Sequence, residues 1–297
     1  MDVFQSVIPM LADFDTRSHN NTKEDIIKRS ISLISKMGTL VAYWDRIRKD
    51  LDIKEPYENL GHAANFLYML HGEIPDEKIA RDFDICLILH AEHSFNASTF
   101  SVRVVASTNA HMYSCIGAAL AALSGDLHGG ANTQVMNMLI EINKTENVET
   151  WIKTRLDAGH NIMGMGHAVH KTIDPRARIL HDISEKLAQR TGNTKWFDLS
   201  CKIDSVSRDE FKKRKGKEIY PNVDFFSPSI YNVMGIDPDL YTSIFGVSRI
   251  SGWCTHIIEE TFAQAQPNPA IYRPEADYIG NYCGIKGCKY IPVEKRK

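Results

Sequence analysis

Apolar residues recur at intervals of three and four along nearly the whole chain, the period of an α-helix with one buried face. Between residues 22 and 42, Ile26, Ile27, Ile31, Ile34, Met37 and Val41 form such a stripe behind Thr22. Threonine suits a helix start, because its hydroxyl accepts a hydrogen bond from an otherwise orphaned backbone N–H. Pro75 and Asp76 open a second stretch in which Ile79, Phe83, Cys86, Leu87 and His90 share a face. His90 and His93 lie three apart, so the same reading puts them together on a helical face. From Ser98 to Leu123 the chain is small and apolar with few glycines, which predicts a helix packed closely on others. Further helices are predicted over 131–143, 148–158, 176–190, 208–215, 227–234 and 238–264, with Gly235 and Pro238 punctuating the last two. Alternation with period two is confined to Asp277–Gly280 and Tyr290–Val293. The pattern predicts an all-α protein.

A length of 297 residues suits one large domain or two. The net charge of −2 gives no electrostatic footprint for nucleic acid as a partner. No run approaches the ~18 uninterrupted apolar residues of a membrane-spanning helix, so no membrane partner is expected. The N-terminal stretch carries Asp2, Asp13 and Asp15 where a secretory signal would carry basic residues, which predicts a cytoplasmic protein. Six scattered cysteines read as thiols of a reducing compartment. Cys283 and Cys288 lack nearby groups to complete a zinc site, so no metal is expected. A basic run, Lys212–Lys217, reads either as a solvated helix end or as a rim that attracts an anion.

Polar residues in glycine-rich turns are the ones that helical patterning leaves unexplained. His128 stands where one long helix stops and another starts, followed by Gly129 and Gly130, which let a ligand approach the backbone. A following helix N-terminus disfavours imidazolium, and a neutral imidazole can polarise a carbonyl by donating a hydrogen bond. Gly164, Gly166, His167, Lys171 and Arg176 form a second cluster with a bendable backbone and several donors. Asp224 sits among aromatic and apolar neighbours, where desolvation would raise its basicity, although it could instead simply cap a helix. Arg249 lies in a predicted apolar helix, a costly position without an anionic partner, and Arg273 follows further along the chain.

These residues exclude several chemistries. The G-x-G at Gly164 has no preceding strand, so it is not a dinucleotide fingerprint. No G-x-S-x-G elbow and no H-E-x-x-H helix is present, which argues against serine hydrolysis and zinc-dependent hydrolysis. Proton abstraction beside a carbonyl, with arginines holding substrate carboxylates, suits the set better.

The motifs LHGGAN, GMGHAVHKTIDPRA, YPNVDFFS, FGVSRISGW and RPEADYIG occur in the order, and at about the spacing, of the citrate synthase family. HAEHSFNASTF resembles the substrate-binding turn of its shorter bacterial and archaeal members, and the likeness runs from about residue 1 to the end. The resemblance implies an all-α homodimer in which a large domain, 1–130 with 237–297, carries a smaller mobile domain, 131–236. It implies that acetyl-CoA, or propionyl-CoA in a 2-methylcitrate synthase, is a co-substrate condensed with oxaloacetate, with no tightly bound cofactor. A citryl-CoA lyase and a non-catalytic scaffold that binds CoA or a dicarboxylate are the other readings. Carried over residue by residue, His128 would hydrogen-bond the thioester oxygen, Asp224 would take the methyl proton and His167 would polarise the oxaloacetate carbonyl. His93, Arg176 and Arg249 would hold carboxylates, with Arg273 reaching in from the partner subunit. Met163, Gly164, Met165, Gly166, Lys171 and Asn222 would lie against CoA. Family chains extend upstream by roughly 80 residues, so this chain is expected to be a short form or a truncation. Met165 and His170 stand where the family usually has aromatics, Thr133 where acid is common and Pro228 where glycine is common. None of these removes a charged group, so they are expected to tune the site.

Overall fold

The computed structural model describes residues 1–166, 172–262, 270–276 and 292–295. Among the described residues the chain folds into helices joined by turns and short 3-10 segments, with a single isolated β-bridge between Met165 and Pro221. The all-α expectation holds. The helices are α1 (Asp2–Met10), α2 (Lys23–Arg48), α3 (His62–His71), α4 (Glu77–His90), α5 (Ala97–Ala106) and α6 (Met112–Leu123). They continue as α7 (Ala131–Ile142), α8 (Val148–Asp157), α9 (Pro175–Thr191), α10 (Lys195–Lys215), α11 (Val223–Val233) and α12 (Tyr241–Thr261).

Side-chain caps set many of the starts. Thr22 accepts the Asp25 N–H ahead of α2, Asp76 serves α4, Asn96 serves α5 and Asn222 serves α11. Asp174 caps α9, and Pro175 occupies its first turn, where no amide donor is needed. Because Asn222 caps α11, Asp224 is free of the capping role that the sequence left open for it.

The structure corrects several expectations. The buried stripe of α2 is Ile26, Leu33, Met37 and Val41, whereas Ile27 and Ile31 are 40% and 64% exposed. Part of the inner face belongs instead to Arg29, held by an ion pair to Asp15. The apolar run 98–123 is two helices, parted where Asn109 adopts a left-handed conformation at φ 61°. α4 ends at His90, so His93 lies in the following turn and not on the same helical face. α10 begins at Lys195, well before the predicted 208, because buried Ser200 and Ser207 blur its apolar stripe. Of the two predicted strands, 277–280 and residues 290–291 lie outside the described residues, and Val293 begins a 3-10 turn. Cys283 and Cys288 also lie outside them, and the described Cys86, Cys115, Cys201 and Cys254 are free thiols.

α12 is buried almost all round, the mark of a central helix. It packs against α2, α4, α5, α6 and α7. Helices α7 to α11 pack mainly on one another, and α9 and α11 touch α4 at the seam between the two groups. No helix among the described residues is long and apolar enough to cross a membrane.

Candidate functional site

A cavity of about 350 Å³ opens at that seam. His93, His128, Arg176, Asn222, Asp224 and Arg249 line it, together with Ser94, Phe95, Asn96, Leu127, Val223 and Phe245. Side chains separated by more than 150 positions in sequence thus meet because α12 carries Arg249 past the start of α11. A larger groove of about 580 Å³, between α7 and α8, contains none of these groups.

His128 is held by a tight turn. Its own N–H reaches the Gly125 carbonyl at 2.9 Å, and Gly129 N–H reaches that of Leu123 at 3.0 Å. Gly129 has to be glycine, since a Cβ there would fall 2.2 Å from the Leu123 oxygen. The Ser98 backbone N–H donates to His128 Nε2 at 3.3 Å, and Ser98 Oγ lies 2.8 Å from the same nitrogen. Nε2 is therefore the acceptor, and the ring proton of the neutral imidazole resides on Nδ1. Burial, with Arg249 nearby, pushes the His128 pKa down to about 4, so the ring stays neutral at physiological pH.

Asp224 occupies the first turn of α11 with 16% of its side chain exposed. Desolvation raises its pKa to about 6, against the opposing pull of Arg176 and Arg249. Arg176 makes a bidentate contact with Asp174, at 3.1 and 2.7 Å, which fixes its guanidinium at the cavity edge. Arg249 donates from Nε to the His90 carbonyl at 2.7 Å and lies over the Phe245 ring at 4.8 Å. No carboxylate of the described residues closes an ion pair with it. Burial lowers its pKa to about 10, which still leaves it charged at neutral pH. A charged guanidinium in a dry wall is an anchor for an incoming carboxylate.

The turn 163–166 is latched to the start of α11. Gly166 N–H donates to the Tyr220 carbonyl at 2.8 Å, Asn222 N–H to Gly164 at 2.9 Å, and Asn222 Nδ2 to Gly166 at 2.9 Å. Gly164 sits at φ 73°, and a Cβ there would meet Phe225 and Val135 at 2.8 Å. The GMG and YPNVD motifs are thereby one structural unit. Met163 and Met165 are partly buried against the core. His167 and Lys171 lie outside the described residues. Arg273 lies in the exposed stretch 270–276 and does not line this chain's cavity. The basic run is largely answered by acids: Lys213 and Arg214 pair with Glu210, Arg214 also with Asp157, and Lys212 with Glu218. Among the described residues no cluster is suited to holding a metal ion.

Sequence reasoning missed Ser98 and Trp253. Trp253 Nε1 donates to Ser98 Oγ at 3.2 Å, behind His128. A signal existed, since Trp253 follows Arg249 by four and so falls on the same face of α12.

The family model for the citrate synthase C-terminal domain matches residues 1–275. The chain belongs to the citrate synthase family. Citrate synthase 2 of Bacillus subtilis is 43% identical over 296 residues, covering 100% of this chain and 76% of that one. A 2-methylcitrate synthase of Shewanella oneidensis is 34% identical, covering 100% of this chain and 74% of its own. Among solved structures, a citrate synthase from Thermoplasma acidophilum superposes with a TM-score of 0.88 at 31% identity, covering 99% of this chain and 75% of that one. That structure is a ternary complex with carboxymethyl coenzyme A and oxaloacetate. Membership of the citrate synthase family accounts for the helical architecture, with no sheet among the described residues.

Proposed function

We propose that the chain condenses acetyl-CoA with oxaloacetate, giving citrate and CoA. The observation that carries this reading is the cavity wall itself, where a neutral imidazole and a desolvated carboxylate stand beside two guanidiniums. A thioester methyl is a weak carbon acid, so its deprotonation needs a base and a hydrogen-bond donor acting together away from water. Asp224 takes the methyl proton, and the raised pKa makes it a stronger base than a solvated carboxylate. His128 donates through Nδ1 to the thioester oxygen as the enol develops, with Ser98 fixing its tautomer. The enol carbon then attacks the oxaloacetate carbonyl, which His167 polarises. Arg176, Arg249 and His93 hold the dicarboxylate. Hydrolysis of the resulting thioester releases CoA.

In the same reading CoA lies along Met163, Gly164, Met165 and Gly166 with Asn222 and Lys171, on the backbone that the latch to 220–222 presents. The smaller domain is 131–236, closing on 1–130 with 237–297 across the seam that holds the cavity. Two chains pair, and Arg273, exposed in this one, completes its partner's site. The free thiols fit a cytoplasmic location.

The similarity to a 2-methylcitrate synthase favours a second substrate, propionyl-CoA. The two acyl groups differ by one methylene, which a pocket distinguishes by only ~1–3 kcal/mol. Thiol-reagent detection of CoA release, with oxaloacetate and either acyl-CoA, tests both readings. Oxaloacetate-dependent release establishes condensation, and the ratio of kcat/KM values names the acyl group. A folded protein that releases no CoA from either substrate refutes the proposal.

A further inference from the structure

His90, noted in the sequence but given no part in the chemistry above, stands directly behind Asp224. It is the last residue of α4 and 1% exposed. Its Nδ1 lies 2.8 Å from the Cys86 carbonyl oxygen. A carbonyl can only accept, so Nδ1 carries the ring proton and Nε2 presents a lone pair. That Nε2 is buried without any hydrogen-bond partner, and it lies 4.0 Å from Asp224 Oδ1. A buried acceptor left unsatisfied is unfavourable, and in a native fold it calls for a physical reason. Here the missing partner is easily named. While Asp224 is ionised, both atoms are acceptors and cannot bond. Once Asp224 carries a proton, its hydroxyl becomes a donor aimed at an acceptor whose tautomer is already fixed.

We infer that His90 is a positioning residue for the condensation proposed above, accepting a hydrogen bond from Asp224 only after Asp224 has taken the proton of the acyl-CoA substrate. The inference rests on the assignment of Asp224 as the base. In the step concerned, the C–H bond of the acyl group breaks, its electron pair enters the enol, and the proton stays on Asp224. His90 receives the hydrogen bond but not the proton. Closing the gap to a hydrogen bond needs a shift of about 1 Å, within reach of a rotation of the Asp224 carboxyl. Because the bond does not exist in the ground state, it contributes to turnover and not to substrate binding. The imidazole does not compete for the proton, because burial pushes its own pKa down to about 4. The other charged or titratable groups acting on Asp224 are Arg176 and Asp174 at the start of α9, Arg249 on α12 and Tyr231 on α11 itself. His128 lines the same cavity. His93 lines it too. The Asp174 carboxylate is taken up by Arg176, and the acceptor nitrogen of His128 by Ser98, whereas His90 Nε2 is buried with its lone pair unused, which separates it from them.

The test is His90→Leu in the full chain, which removes the acceptor and keeps an apolar filling. Loss of one such bond predicts a fall in kcat of about tenfold with both KM values within twofold of wild type. A readout that a merely structural role would not move is the acid limb of the kcat/KM profile. With the lone pair gone, ionised Asp224 is less disfavoured, so the limb moves to lower pH by about half a unit or more. An unchanged kcat, or a reduced kcat with an unmoved limb, overturns the inference. If the variant does not fold, nitrogen NMR of wild-type protein labelled in histidine decides. The His90 Nε2 signal is expected to stay unprotonated from pH 5 to 8 and to shift as Asp224 titrates near pH 6. A signal that is protonated, or that ignores that titration, overturns it. A wild-type protein without condensation activity refutes the proposed function separately, while the NMR titration still reports on the pair.

Discussion

Replacing Asp224 by asparagine should make the protein more stable and less active. The carboxyl pKa rises from 3.8 to about 6 on folding, chiefly because burial penalises the charged form. Each pKa unit corresponds to 1.36 kcal/mol, so the ionised side chain costs about 2–3 kcal/mol of folding stability at pH 7.5. The sign follows from proton binding. Below about pH 4 the group is protonated in both folded and unfolded chains, and there is no penalty. Between about pH 4 and 6 the folded chain keeps the proton that the unfolded chain has released, so wild-type stability falls as pH rises. Above about pH 6 the full penalty applies. Asparagine is nearly isosteric, carries no charge and offers the orphaned Nε2 of His90 a donor. The asparagine variant should therefore unfold about 4 °C higher than wild type at pH 7.5. Its advantage should shrink toward zero as the pH approaches 4. Thermal and denaturant unfolding of both proteins across pH 4.5–8 would measure this, and a kinetic assay of the same preparations should show kcat lower by orders of magnitude with oxaloacetate still bound. An asparagine variant no more stable than wild type at pH 7.5, or an advantage independent of pH, would refute the claim that Asp224 is held desolvated. Near-normal turnover would remove it from the role of base.

Three further substitutions test other parts of the site. Gly129→Ala should destabilise the chain by about 2–4 kcal/mol, visible in the denaturation midpoint, because its Cβ would strike the Leu123 carbonyl oxygen that anchors the His128 turn. Ser98→Ala should lower kcat by about tenfold with little change in KM, since it removes the Oγ beside His128 Nε2 and leaves the backbone N–H to hold the tautomer; an unchanged kcat would show that the backbone contact suffices. Arg273→Leu should weaken oxaloacetate binding measured by calorimetry, and mixed dimers with a chain defective at Asp224 should regain one working site. Absence of that rescue in intact dimers would make Arg273 a ligand within its own chain.

Much of this protein was legible from its sequence, for reasons that are local. Helix starts at Lys23 and Glu77 are written in Thr22 and Asp76, because a cap bonds to amides within three residues of itself. His128, Asp224, Arg176 and Arg249 stood out because each is a polar or charged group in a turn or an apolar run that helical packing alone does not explain. What the tertiary structure decided is everything that depends on residues far apart in the chain. Which face of α2 is buried turned on the distant Asp15 that pairs with Arg29, so periodicity alone misplaced Ile27 and Ile31. The tautomer of His128 is set by Ser98, thirty positions earlier, and Ser98 is held in turn by Trp253 on α12. The pKa of Asp224 is a property of desolvation, which exists only once α4, α9, α11 and α12 have closed around it. His90 shows the division most plainly. Its place on the inner face of α4 follows from spacing, but the lone pair it turns toward Asp224 exists only because a carbonyl one helical turn back claims the other nitrogen and α11 arrives in front.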